Sequence, residues 1–188
     1  MPVDPEDEFV CRERVYEEDP RNIRIIVEST GFFSPDEVDI AVELAVTNLR
    51  QGDASGYSFL FLDVSGRTVG YTCFGPIPAT RSSYDLYWIA VHHDYQGFGI
   101  GKEMLRRTEA LIRARKGSRI YVETSSREQY VSTRRFYEAS GYRQEAFLHD
   151  FYAPGDSKVI YVKVLEWIDA EGAGSGQSPK DETRKSSA

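Results

Sequence analysis

The chain has 188 residues, 40% hydrophobic, 28% charged and 13% aromatic, which fits one globular domain with a core and excludes a disordered composition. Its net charge of -7 and pI near 5.1 argue against nucleic acid, whose phosphates need clustered Lys and Arg, and are compatible with a cationic partner such as an amine. Two cysteines, Cys11 and Cys73, offer neither a disulfide framework nor a CxxC metal pair, the acidic opening is unlike a signal peptide, and no apolar run approaches the roughly 20 residues that span a membrane, so the sequence reads as soluble and cytoplasmic.

Residues 1–20 are acidic and interrupted by Pro2, Pro5 and Pro20, and read as a loosely held arm. Ile23-Arg24-Ile25-Ile26-Val27 is rich in β-branched residues and predicts a strand. Ser34-Pro35-Asp36-Glu37 predicts a helix start, with serine as cap, proline at the first helical position and glutamate three residues after the cap. Val38, Ala41, Val42, Ala45 and Leu49 continue at helical spacing as far as Gly52.

Tyr57 to Val64 and Thr68 to Phe74 flank Ser65-Gly66-Arg67 and predict an antiparallel hairpin. Tyr84 to Val91 is a nearly all-apolar strand. Gly97, Gly99 and Gly101 follow, then an amphipathic helix to about Lys116 with Glu109 on its polar face and Gly117 as its cap. Arg119 to Thr124 predicts a strand, Glu128 to Ser140 a helix capped by Gly141, and Tyr142 to Leu148 and Lys158 to Leu165 two more strands. The Gly-, Ser- and Lys-rich tail 171–188 has no apolar residue larger than alanine and is expected to be disordered, which leaves 21–170 as the folded domain. The element order predicts a mixed α/β sheet with helices on its faces.

Three glycines between a strand and a helix invite an anion, because unpaired N–H groups at a helix start point outward and the dipole adds about half a positive charge. A Walker loop fails: Tyr95 and Gln96 stand where its first glycine belongs, and Glu103 follows Lys102. A dinucleotide fingerprint fails too, meeting Met104 or Lys102 where it needs its third glycine. On spacing alone, an anion cradle and a merely tight turn are equally good readings.

The stretch Val91-His92-His93-Asp94-Tyr95-Gln96-Gly97-Phe98-Gly99-Ile100-Gly101 resembles the acyl-coenzyme A signature of the GNAT superfamily of N-acyltransferases, a strand ending in valine followed by Arg/Gln-x-x-Gly-x-Gly/Ala. Downstream, Arg135-Phe136-Tyr137-Glu138-Ala139-Ser140-Gly141-Tyr142 is similar to that family's Phe-Tyr-Glu-x-x-Gly-Phe helix end. The element order over residues 23–165 also fits. The resemblance implies a mostly antiparallel central sheet of about six to seven strands, flanked by helices and split between the Tyr84–Val91 and Arg119–Thr124 strands. Pantetheine would pair with Ile89, Ala90 and Val91. The pyrophosphate would rest on Gly97, Phe98, Gly99, Ile100, Gly101 and Lys102, with Gln96 nearby. Two positions depart from the pattern: Tyr130 replaces a frequent asparagine, and His93 replaces the usual proline after the strand.

The same resemblance implies transfer of an acetyl group from acetyl-coenzyme A (acetyl-CoA) to a primary amine, by direct transfer in a ternary complex and without a metal. Tyr137 matches the tyrosine near the coenzyme sulfur; a phenol with a pKa near 10 keeps its proton at neutral pH and can give it to a thiolate. Glu123, on one strand face with Tyr121, is the expected base, with a solvent-facing or salt-bridged glutamate as the equal alternative. His149, Asp150 and Tyr152 border the expected amine cleft, His149 and Asp150 being equally readable as ordinary loop residues. His92 and His93 are neighbours in sequence and make a poor chelating pair. The acceptor, small molecule or protein, stays open, as do a homodimer and a non-catalytic acyl-CoA sensor of the same fold.

Overall fold

The structure, a computed structural model, describes residues 9–165. The expected tail, 171–188, lies outside the described residues. Eleven elements run in the order β1 (Phe9–Arg12), α1 (Asp19–Thr30), α2 (Pro35–Gln51), β2 (Ser58–Val64), β3 (Arg67–Pro76), β4 (Ser83–Val91), α3 (Ile100–Ala114), β5 (Arg119–Ser125), α4 (Val131–Ala139), β6 (Arg143–Ala153) and β7 (Asp156–Val164). Short 3-10 turns precede β2, α3 and α4. The strands form one seven-stranded sheet in the order β1-β2-β3-β4-β5-β7-β6. All neighbours are antiparallel except β4 and β5. This is the mixed sheet flanked by helices that the sequence predicts.

Period-2 alternation divides the core between the two faces of the sheet. Phe59 and Phe61 of β2 turn toward Ile23, Ile26 and Val27 of α1 and Val38, Ala41 and Ala45 of α2. Leu62 and Val64 turn the other way, toward Ile100 and Met104 of α3. Beneath β4 and β5, a second core on that face joins Leu105 and Ile112 of α3 to Ile120, Val122 and Tyr137.

Four expectations are corrected. Residues 23–27 are helix, not strand: Ile23, Ile26 and Val27 are fully buried while Ile25 is 40% exposed, which is a helical stripe. Part of the supposed arm is structural, since β1 pairs with β2 and Arg12 of β1 binds buried Asp19 at the start of α1. Glu109 is buried rather than facing water, and both its oxygens accept from Lys163 Nζ at 2.8 Å. At the end of α3 the left-handed residue is Lys116, φ 62°. Gly117 is needed for space instead, because a Cβ there would meet Ile112 Cγ2 at 2.4 Å and Tyr84 Cδ2 at 2.8 Å.

Candidate active site

β4 and β5 run parallel but pair only from Ser83–Asp85 to Arg119–Tyr121. Beyond that point they diverge. The cause lies on the other side of β4, where Cys73 of β3 faces Trp88 and Phe74 faces Leu86. Tyr87 is therefore an extra residue, and a bulge of this kind bends its strand. Past the bulge β4 stays paired with β3, Ile89 to Thr72, Ala90 to Tyr71 and Val91 to Gly70. Its opposite backbone edge faces the gap.

The end of β4 feeds the glycine turn. Gln96 Nε2 donates to the Val91 carbonyl at 2.9 Å and ties the turn back to the strand. Gly97 and Gly99 have φ of 86° and 80°, a region that L side chains enter only at a cost. Gly99 caps α3 with no side chain of its own. The first intrahelical bond runs from Glu103 N–H to the Gly99 carbonyl, so the N–H groups of Ile100, Gly101 and Lys102 precede it and are open to a ligand.

Cradle and gap open into one cavity of about 950 Å³. Of the residues expected to meet coenzyme, Ile89, Ala90, Val91, Gln96, Gly97, Gly99, Ile100, Gly101 and Lys102 all line it. Phe98 does not, and its side chain is exposed.

Tyr137 of α4 lines the same cavity and is buried among Phe136, Tyr142 and Tyr161, with ring centroids 5.4, 5.6 and 6.0 Å away. Burial pushes its phenol well above the ordinary range. Glu123 lines the wall from β5, where its carboxylate accepts from Lys158 Nζ. That ammonium also sits 3.8 Å from the centre of the Phe151 ring. Tyr152 reaches the cavity from β6. His149 and Asp150 are outside the wall: His149 packs its ring on Phe147, and Asp150 accepts from Gly155 N–H at 2.8 Å to shape the β6–β7 turn.

His92 is buried behind the glycine turn rather than beside the gap, with Nε2 3.4 Å from Arg67; burial, then Arg67, lowers its pKa. His93 is held through its backbone N–H, which donates to Ser29 Oγ at 3.0 Å. Among the described residues no three His, Cys, Asp or Glu side chains converge as a metal site would require. Both cysteines are free thiols, Cys73 buried and Cys11 half-buried.

Sequence reasoning missed the far end of the cavity. Phe32 and Phe33 reach it from the α1–α2 turn, Tyr57 from the approach to β2, and Tyr87 and Trp88 from the bulged stretch of β4. One signal was legible: two aromatics stand immediately before the Ser34 cap, so they must lie in the turn the cap begins. Ser125 and Arg127 meet Asp156 near the same wall, the latter at 3.0 Å.

The acetyltransferase (GNAT) domain model matches residues 55–144. A GNAT-family crystal structure from Desulfovibrio desulfuricans is 43% identical, with a TM-score of 0.82 over 84% of this chain and 99% of that one. The Escherichia coli ribosomal-protein-S18-alanine N-acetyltransferase superposes with a TM-score of 0.67 at 16% identity, over 89% of this chain and all of that one (100%). A Salmonella typhimurium structure solved with acetyl-CoA gives 0.66 at 18% identity, over 89% and 99%. At these lower identities the likeness is one of fold. No curated protein sequence matches the chain.

Proposed function

The chain belongs to the GNAT acetyltransferase family, and from that premise we propose that it moves an acetyl group from acetyl-CoA to a primary amine by direct transfer in a ternary complex. The observation that carries this reading is the continuity of one cavity, from the open N–H groups of α3, along the unpaired edge of β4, to Tyr137 and Glu123. Acetyl-CoA supplies the activated thioester. Its pyrophosphate carries the charge that the α3 N–H groups and Lys102 favour. The free edge of Ile89 to Val91 provides the backbone donors and acceptors that a pantetheine amide can pair with.

Tyr137 is the proton donor in this reading. Burial holds its phenol protonated, and its ring lines the cavity that would take the thioester, so the proton is available to a departing thiolate. Glu123 is the base, accepting a proton from the amine directly or through water, because an ammonium cannot attack. Tyr152 is the expected contact on the amine side.

Thiol release from acetyl-CoA over an amine panel tests the reaction, and intersecting initial-velocity lines are the signature of direct transfer. Parallel lines would mean a covalent acetyl-enzyme and overturn the ternary complex. The Lys158 ammonium already occupies Glu123, and this favours a second reading, a non-catalytic acyl-CoA binder. Coenzyme binding without thiol release from any amine would establish it. No helix among the described residues is long and apolar enough to cross a membrane, and the free cysteines support a cytoplasmic setting.

A further inference from the structure

We propose that the amine acceptor carries its nitrogen on a flat, apolar body, and that an aromatic slot between the α1–α2 turn and the bulged part of β4 selects it. This inference rests on the acetyl-transfer reading above and names the substrate class of the same site.

The slot is built from pairs of rings. Phe33 packs on Trp88 with centroids 4.9 Å apart, and Tyr57 meets Tyr87 edge-on at 5.5 Å. Ile40 and Leu44 of α2 continue the apolar wall. Several of these groups face open space: Ile40 is 52% exposed and Tyr87 38%. Apolar surface gathered in a concave wall is costly to leave wet and marks a binding surface.

The roof limits the size of the guest. Phe32 crosses the gap to Tyr130, with ring centroids 6.1 Å apart, and Gln129 Nε2 donates to the Phe32 carbonyl at 3.3 Å. The α1–α2 turn is thus tied to the α4 side of the fork, closing the cleft against an extended peptide.

Charge sets the orientation. Glu37 and Glu123 bring carboxylates to the wall from opposite sides. Tyr152 lines the same wall: burial first, then Glu123, Asp156, Tyr130 and Glu37, push its phenol up to about 12. A single ammonium fits that negative field. A polyamine would need several free carboxylates, but Asp156 is held by Arg127 and Ser125, and Glu123 by Lys158. An aminosugar would need many hydrogen-bond partners where the wall offers rings.

The experiment compares kcat/KM by thiol release for 2-phenylethylamine and tryptamine against ethanolamine, putrescine, glucosamine and a short peptide with a free N-terminus. Calorimetry of 2-phenylethylamine on the coenzyme A-loaded protein reads binding without turnover. The aryl amines are expected to exceed ethanolamine by about 100-fold, the scale that a few apolar groups in a pocket can supply. Phe32→Ala, on an exposed turn that tolerates truncation, and Trp88→Ala should each reduce that preference and weaken the calorimetric affinity by about tenfold or more. Equal or better rates with putrescine, glucosamine or the peptide overturn the inference while leaving acetyl transfer standing. Thiol release with none of the amines overturns both.

Discussion

Tyr137 and Glu123 face one cavity from opposite surroundings, the phenol sealed among rings and the carboxylate half open to water on a lysine. Tyr137→Phe keeps the packing of the ring and removes only the hydroxyl. We expect kcat to fall by about 100-fold or more, the usual contribution of a general acid, with the acetyl-CoA KM little changed. Because burial raises this phenol, it stays protonated past the ordinary tyrosine pKa of about 10, so kcat should show no alkaline limb from Tyr137 below that pH. A pH–rate series of the wild type and Tyr137→Phe checks both points. Glu123→Gln should lower kcat/KM by about 100-fold, the scale of a general base; an unaltered kcat/KM would leave Glu123 as a surface residue. Both residues were legible because each sits in a local pattern, a helix-end motif and an alternating strand. The slot as a whole was not, because Phe33 meets Trp88 only when α1 and α2 pack on the sheet, and Tyr57 meets Tyr87 only once β2, β3 and β4 are paired.

At the scale of elements, α1 shows which signal decides. Ile23, Ile25, Ile26 and Val27 favour a strand by propensity, yet a β-branched residue costs a helix only about 0.5 kcal/mol. Burying an Ile or Val contributes about 1.5–3 kcal/mol, and only helical spacing buries Ile23, Ile26 and Val27 together. Pro20 in the first turn and Gly31 at the cap were the legible clues. For α2 the clues agreed: Ser34 Oγ accepts from Glu37 N–H at 3.3 Å, and Glu37 Oε2 accepts from Ser34 N–H at 2.7 Å. Ser34→Ala should cost about 1 kcal/mol in urea unfolding.

The turn into α3 divides its glycines by purpose. Gly99→Ala should destabilise by about 1–2 kcal/mol, since φ there is 80°. Gly101 has ordinary φ, and a Cβ would make normal contact with Phe136 Cε2 at 3.7 Å, so Gly101→Ala should fold and bind acetyl-CoA. Gly101→Asp should fold but lose calorimetric binding, because it sets a negative charge against the diphosphate. Retained affinity in Gly101→Asp would remove the cradle from the account.

Across the whole molecule, one buried ion network fastens the N-terminal strand. Arg12 donates to both oxygens of Asp19, at 2.7 and 2.6 Å, and to Asp63 of β2 at 3.0 Å, with its guanidinium 4.2 Å from the centre of the Phe61 ring. Asp19 also accepts from Tyr16 N–H and Asn22 Nδ2. Asp19→Ala should therefore cost about 2–3 kcal/mol, measured by chemical denaturation, because Arg12 keeps Asp63 but loses two charge-assisted bonds, and Tyr16 N–H and Asn22 lose their acceptor. Sequence reading missed this network: its members lie up to 51 positions apart, and β1 has only four residues.

The parting of β4 from β5 leaves the sheet nearly in two, β1 to β4 on one side and β5, β7 and β6 on the other, stitched by three residue pairs and the core beneath. A guest wedged there acts as a keystone. Saturation at 100 times Kd contributes about 2.7 kcal/mol to the folded state, so acetyl-CoA should raise the melting temperature of both halves together, and amide exchange along β4 and β5 should slow in step.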